Sequence, residues 1–203
     1  MTTSTTYTRL DSGGGVPAHA ARAIADVAAG NGLVDVPVRR LDQAELLALA
    51  ASVAARPEQW REHLRFPGTD DPADDTGRHY VCLSRDEHVD VWLLCWTPAD
   101  DTGWHDHDVS SGAVAVAQGR LVEHNLGVGR PEVRTEVPAG QVYSFGPDHI
   151  HRLSGLDDAS VSIHVYSPPL QTMGQYVVDD HGVLHRTSVT YAEELRALAE
   201  VPA

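Results

Sequence analysis

From Tyr80 onward the chain is written as short runs of apolar and β-branched residues, each closed by a turn signal. This texture limits the fold more than any other feature of the sequence. The runs are HYVCLS, VDVWLLCW, GAVAVAQG, GRLVEHNL, PEVRTEV, QVYSFG, HIHRLSG, ASVSIHVYS, GQYVVDD and GVLHRTS. Strands repeating at about 8 to 12 residues, with turn residues between them, build sandwiches or barrels. The expectation is a mainly β chain with an antiparallel barrel over residues 78–188.

The flanks read differently. Residues 1–16 are rich in Thr, Ser and Gly and are expected to be a flexible N-terminus. Residues 17–66 read as a helical cap, with LDQAELLALAASVAARPEQWREHLRF as its clearest segment. There Asp42 serves as N-cap with Glu45 three residues on, and Leu46, Leu49 and Val53 repeat at helical spacing. Pro57 should end that helix and open a second short one carrying Trp60 and Leu64. PGTDDPADDTG is an acidic loop, and residues 190–201 (TYAEELRALAEV) read as a short C-terminal helix. At 203 residues, the chain is expected to form one domain over 17–203.

Charge excludes one class of partner. A net charge of −14 leaves no Lys/Arg cluster to neutralise phosphates, so nucleic acid is not expected. No run approaches the about 20 apolar residues of a membrane span, and the N-terminus lacks a signal-peptide layout, so a cytoplasmic protein is expected. Two cysteines, Cys82 and Cys95, do not form a disulfide framework. Twelve histidines are the unusual component.

Their placement points to a metal. His105 and His107 lie two apart, so on an extended strand both imidazoles face one space. His149 and His151 follow a Pro-x-Gly turn, and His164 lies on the next run. Imidazole suits Fe, Zn, Cu and Ni alike, and spacing alone does not choose between His149 and His151. Ser162, His164 and Tyr166 share one strand face and can form a hydrogen-bonded row. His124, His181 and His185 receive no role and are expected to be exposed.

The histidine pattern resembles the two motifs of the cupins, whose fold is a jelly-roll-like β-barrel. The first motif usually carries a Glu five residues after its second His; here that position is Gly112. Three neutral imidazoles leave a metal's charge uncompensated, so an anionic ligand is expected, a thiolate foremost. More specifically, YVCLS, LLCW, HDHDVSSGA, GRLVEH, HRLSG and SIHVYSPP resemble the cysteine dioxygenase-type thiol dioxygenases. That resemblance implies a mononuclear Fe(II) on His105, His107 and His151, with His149 as a neighbour. It also implies a catalytic row of Ser162, His164 and Tyr166, a small thiol and O2 as substrates, a sulfinic acid as product, and a monomer.

Two departures stand out. Animal members carry a cysteine at the position of Gly112, so no Cys–Tyr crosslink is expected here. Members that use cysteine carry an Arg two residues after the tyrosine, where this chain reads Tyr80-Val81-Cys82. A cysteine cannot replace a bidentate Arg–carboxylate pair. Arg78 or Arg85 is a nearby substitute, although strand alternation puts Arg85 opposite Cys82. Trp92, Trp96 and Trp104 are candidate pocket walls, and the substrate-binding set is Tyr80, Cys82, Arg78, Arg85, Trp104 and His149. The thiol stays open among cysteine, 3-mercaptopropionate, cysteamine and a heterocyclic thiol such as ergothioneine. Rival readings are another metal-dependent cupin oxygenase or isomerase on a non-thiol substrate, and a non-enzymatic ligand-binding cupin.

Overall fold

The computed structural model describes residues 6–9, 36–66, 78–126, 131–179, 181 and 183–190. Among these residues twelve strands form two antiparallel sheets of six. In chain order they are β1 (Thr6–Arg9), β2 (Tyr80–Arg85), β3 (Asp90–Trp96), β4 (Trp104–Asp106), β5 (Ser111–Gln118), β6 (Arg120–Asn125), β7 (Val133–Pro138), β8 (Gln141–Phe145), β9 (His151–Gly155), β10 (Ser160–Ser167), β11 (Thr172–Val178) and β12 (Leu184–Thr190). The first sheet runs β1-β8-β5-β10-β3-β2 and the second β12-β11-β4-β9-β6-β7. This is the two-sheet cupin jelly roll. It is an open barrel, since each sheet keeps its two edges.

The one α-helix among the described residues, α1 (Gln43–Ala54), forms where the sequence marks it. Asp42 accepts a hydrogen bond from the Glu45 amide at 2.9 Å, and the Glu45 carboxylate accepts one from the Asp42 amide at 3.0 Å. Two donors left over at the helix start are thereby satisfied reciprocally. Beyond Pro57 two short 3₁₀ turns, Pro57–Gln59 and Arg61–His63, replace the expected second helix. Trp60 still anchors the segment, donating its indole N–H to the Val53 carbonyl at 3.0 Å.

Helix α1 covers the outer face of the first sheet, and this decides which residues remain for the barrel interior. Leu46, Leu49 and Val53 pack with Val91 and Leu93 of β3, Ala113 and Ala115 of β5, and Ile163 and Val165 of β10. The alternate residues of the same strands face the second sheet: Trp92, Leu94 and Trp96, then Val114 and Val116, then Tyr166. Strands buried on both faces read as continuous apolar runs, which is why VDVWLLCW shows no alternation. Ser162 and His164 are polar intrusions into such a run.

One expectation about the flanks needs correcting, and another falls outside the described residues. Within the segment expected to be flexible, residues 6–9 form β1, paired antiparallel with residues 141–144 of β8. Backbone pairing with a sheet edge supplies order that composition does not announce. The expected helix over 190–201 lies outside the described residues apart from Thr190, which ends β12. No helix among the described residues is long and apolar enough to cross a membrane.

Candidate metal centre

His105 and His151 are register partners across β4 and β9, so their side chains stand side by side on the inner face of the second sheet. His107, two residues on, faces the same way. The three rings pack with centroids 4.6 Å (His105–His151), 4.9 Å (His105–His107) and 5.1 Å (His107–His151) apart. One ring nitrogen from each lies within 4.8 Å of the others, and all three residues are buried.

The donor chemistry fits a cation. The Nδ1–H of His105 is placed to donate to the Gly103 carbonyl at 3.1 Å, which leaves Nε2 as its lone-pair nitrogen. His151 Nδ1 lies 2.7 Å from Glu123 Oε1 and is fixed as the donor nitrogen in the same way. Both nitrogens of His107 and Nε2 of His151 are buried without a hydrogen-bond partner. Buried polar atoms are normally paired, and an unpaired set converging on one point is explained by a ligand. Burial, together with the mutual repulsion of the rings, holds the pKa values of His105 and His107 well below the ordinary histidine range. The imidazoles are therefore neutral and free to coordinate.

A carboxylate stands immediately beside this set. Glu123 of β6 is fully buried, and its Oε1 accepts hydrogen bonds from both His151 Nδ1 and, at 3.0 Å, His149 Nε2. Burial opposes its ionisation, but the two imidazole N–H groups outweigh that and hold its pKa far below the usual carboxylate value. The expectation of an uncompensated cation is corrected here: the negative charge lies one imidazole away. Glu123, His149 and His151 form a second group able to hold a metal. Of the two histidines that spacing left open, His151 is the one that groups with His105 and His107.

The row on β10 lies on the first sheet and faces inward. Trp96 Nε1–H donates to Ser162 Oγ at 2.8 Å, Ser162 Oγ lies 2.8 Å from His164 Nε2, and His164 Nδ1 lies 3.1 Å from the Tyr166 hydroxyl. Indole N–H only donates, so Ser162 accepts from Trp96 and has its own O–H to donate to His164 Nε2. A neutral His164 then donates from Nδ1 to the Tyr166 oxygen. Burial and the nearby Arg78 keep His164 neutral, its pKa well below the ordinary value. The Tyr166 ring sits 5.3 Å from that of His107, which joins the row to the histidines.

A third group braces the end of β4 between the first two histidines. Asp106 points away from the centre and takes a bidentate pair from Arg186 at 2.7 and 2.9 Å, with the Tyr176 hydroxyl at 2.6 Å. The amides of Gly174 and Asp108 also donate to it, at 3.1 and 2.9 Å. These bonds outweigh burial and hold its pKa down to about 2.

The substrate-binding candidates divide. The Arg78 guanidinium stacks over the Trp96 ring at 4.5 Å; its Nε is buried without a hydrogen-bond partner, and its charge is felt at His105 and His164. A bulge between Cys82 and Ser84 ends the alternation that put Arg85 opposite Cys82. Arg85 instead pairs in register with Asp90, on the face of Trp92, and its Nη2 donates to the Leu170 carbonyl at 3.3 Å. Tyr80 lies against Trp92 with centroids 6.2 Å apart, and Cys82 is exposed. Trp104 is not a pocket wall: it alternates with His105, faces outward and meets His124 edge-on at 6.5 Å. His149 stacks on Phe145 at 5.3 Å and binds Glu123. A glycine at 112 leaves no sulfur beside Tyr166, although a Cβ there would lie 2.9 Å from that ring.

Sequence reasoning missed Glu123, the indole donor of Trp96 and the Asp106 brace. For Glu123 a signal existed. In RLVEHN the residues of the inward face are Leu121, Glu123 and Asn125, an apolar face broken by an acid.

Comparison with known proteins now bears on the centre. Residues 18–179 match the sequence profile of the family described as cysteine dioxygenase type I. Among solved structures, KdgF from Halomonas sp. is similar at 15% identity and TM-score 0.42, covering 50% of this chain and 85% of its own. A double-stranded β-helix domain protein from Klebsiella pneumoniae subsp. pneumoniae gives 15% identity and TM-score 0.43, with 62% and 91% covered. A cupin superfamily protein from Desulfitobacterium hafniense gives 11% identity and TM-score 0.40, with 52% and 98% covered. Comparison with curated proteins gave no match.

Proposed function

Since the chain belongs to the cysteine dioxygenase type I family, we propose that it is a non-haem Fe(II) thiol dioxygenase, converting a small thiol and O2 into a sulfinic acid. The observation that carries this reading is the pairing of two groups across the barrel. Three buried neutral imidazoles group on the inner face of one sheet, and a Ser–His–Tyr row lies on the other, its Tyr166 ring 5.3 Å from that of His107. In the overall reaction RSH and O2 give RSO2H; both oxygen atoms end on sulfur, and no outside reductant is required.

His105, His107 and His151 would hold the iron, which when bound would supply the electron-transfer chemistry that couples a thiolate to dioxygen. The chain's residues do the rest. Aromatic and aliphatic side chains around the imidazoles keep water out, which strengthens every charge interaction inside. Tyr166 presents its O–H to the bound thiol or to an oxygen atom being transferred, oriented by His164 and, through it, by Ser162 and Trp96.

Arg78 supports an anionic substrate. Its guanidinium stacks on Trp96 with Nε buried and unpartnered, and a carboxylate on the thiol would give it a partner. This favours cysteine or 3-mercaptopropionate over cysteamine. The packing of α1 onto the first sheet makes the helix and the strands one unit with a shared core, and the enzyme is read as a single cupin domain, a monomer working in the reducing cytoplasm, where thiols stay free. The test is oxygen uptake by protein reconstituted anaerobically with Fe(II), across carboxylated, aminated and heterocyclic thiols, scored for sulfinate. No uptake with any thiol by iron-loaded protein would remove the proposal.

A further inference from the structure

The acid that the first histidine motif lacks at position 112 has a counterpart in space. Glu123 lies on β6, next to β9, on the same inner face as His151; in register Asn125 faces His151 and Glu123 faces Leu153. The residue is fully buried, a costly place for a carboxylate unless it serves its neighbours. One of its oxygens takes two hydrogen bonds, from His151 at 2.7 Å and from His149 at 3.0 Å. The other receives the Asn125 amide at 3.3 Å.

Two consequences follow for His151. With its Nδ1–H committed to Glu123, its lone pair is on Nε2, the atom buried without a protein partner beside His105 and His107. A short bond to an anion also draws the N–H proton outward, which makes the ring a stronger donor at the opposite nitrogen. His149 supplies the second grip on the carboxylate, while its ring is held against Phe145 with planes only 21° apart. Phe145 in turn stacks on His107 at 4.5 Å, so carboxylate, third imidazole and second imidazole form one packed unit.

We infer that Glu123 is a positioning residue of the metal centre. Acting through His151, it fixes the tautomer of the third imidazole and raises its donor strength, and His149 holds the carboxylate in place. The missing acid of the first motif is thereby replaced by an acid one ring removed, which leaves the vacated coordination position to substrate. This inference rests on the three-histidine metal reading and is indifferent to which thiol is used.

The experiment compares wild type with Glu123→Gln, which keeps the shape and removes the charge. Binding of Co(II) to the metal-free proteins is titrated anaerobically, and the Fe(III)/Fe(II) midpoint potential is measured on the iron-loaded forms. Glu123→Gln should bind Co(II) about 10- to 100-fold more weakly, and its potential should move upward, because a lost negative charge disfavours the ferric state. A change in affinity of less than about threefold, or an unmoved potential, overturns the inference while leaving the metal site standing. Wild type that binds no metal overturns both. If the variant does not fold, long-range ¹⁵N spectra of Zn(II)-loaded wild type decide. Zinc on Nε2 of His151 with a proton on Nδ1 supports the inference, and the opposite arrangement overturns it. So does a second equivalent of zinc bound at Glu123 and His149.

Discussion

Replacing Gly112 by alanine adds one methyl group where three strands of the first sheet meet the histidines. Gly112 stands opposite Tyr166 on one side and Phe145 on the other. A Cβ at that position would lie 2.5 and 2.6 Å from two ring carbons of Phe145 and 2.9 Å from one of Tyr166. Non-bonded carbons settle at about 3.5–4.0 Å, so Phe145 has to retreat by about 1 Å. It has little room. The ring is 3% exposed and packs on His107 at 4.5 Å and on His151 at 5.1 Å. Overpacking of this kind costs about 1–3 kcal/mol of stability, and contact with two rings puts Gly112→Ala toward the upper end.

The displaced ring also pushes on a ligand. A misplacement of about 1 Å at a reacting centre costs about 100-fold in rate, so iron-loaded Gly112→Ala should lose most of its oxygen uptake. Denaturant unfolding of the metal-free protein reads the first effect, and Co(II) titration with oxygen uptake reads the second. Adding Phe145→Leu should restore part of both, a non-additive result diagnostic of direct contact. Gly112→Ala with wild-type stability would refute the packing argument. Lost stability with unchanged metal affinity and uptake would refute the coupling from Phe145 to His107.

Three further outcomes are expected. Tyr166→Phe should lower oxygen uptake by about 100-fold or more while binding Co(II) as wild type does, because the phenol acts on substrate and not as a ligand. Arg78→Gln should raise KM for 3-mercaptopropionate by about 10- to 100-fold, the worth of a hydrogen bond to a charged group, and leave KM for an uncharged thiol unchanged; steady-state kinetics on both thiols separates the two. Asp106 has a folded pKa of about 2 against an ordinary value of 3.8. Its stabilisation is therefore full above the unfolded value and is lost as pH falls through the folded one, about 2 kcal/mol in all. Asp106→Asn should remove that amount at pH 7 and flatten the stability profile between pH 4 and 2 in denaturant melts.

Most of the architecture and the set of histidines from which the donors are drawn were legible in the order of residues. Local rules act within a few positions: the capping box at Asp42 and Glu45, the stop at Pro57, and the period of two that sets His105 beside His107 and lines up Ser162, His164 and Tyr166. The fold class followed from strand spacing, and the metal-binding character from histidines that repeat on strand faces. What the chain order could not express is which strands lie side by side. Register across β4 and β9 selects His151 over His149, register across β6 and β9 brings Glu123 to His151, and a single bulge at Leu83 turns Arg85 to the other face. Trp104 faces outward and Arg78 lies over Trp96 for the same reason. Alternation along a strand is local and written in the sequence; the pairing between strands is won by burial over the whole barrel, and only the folded chain decides it.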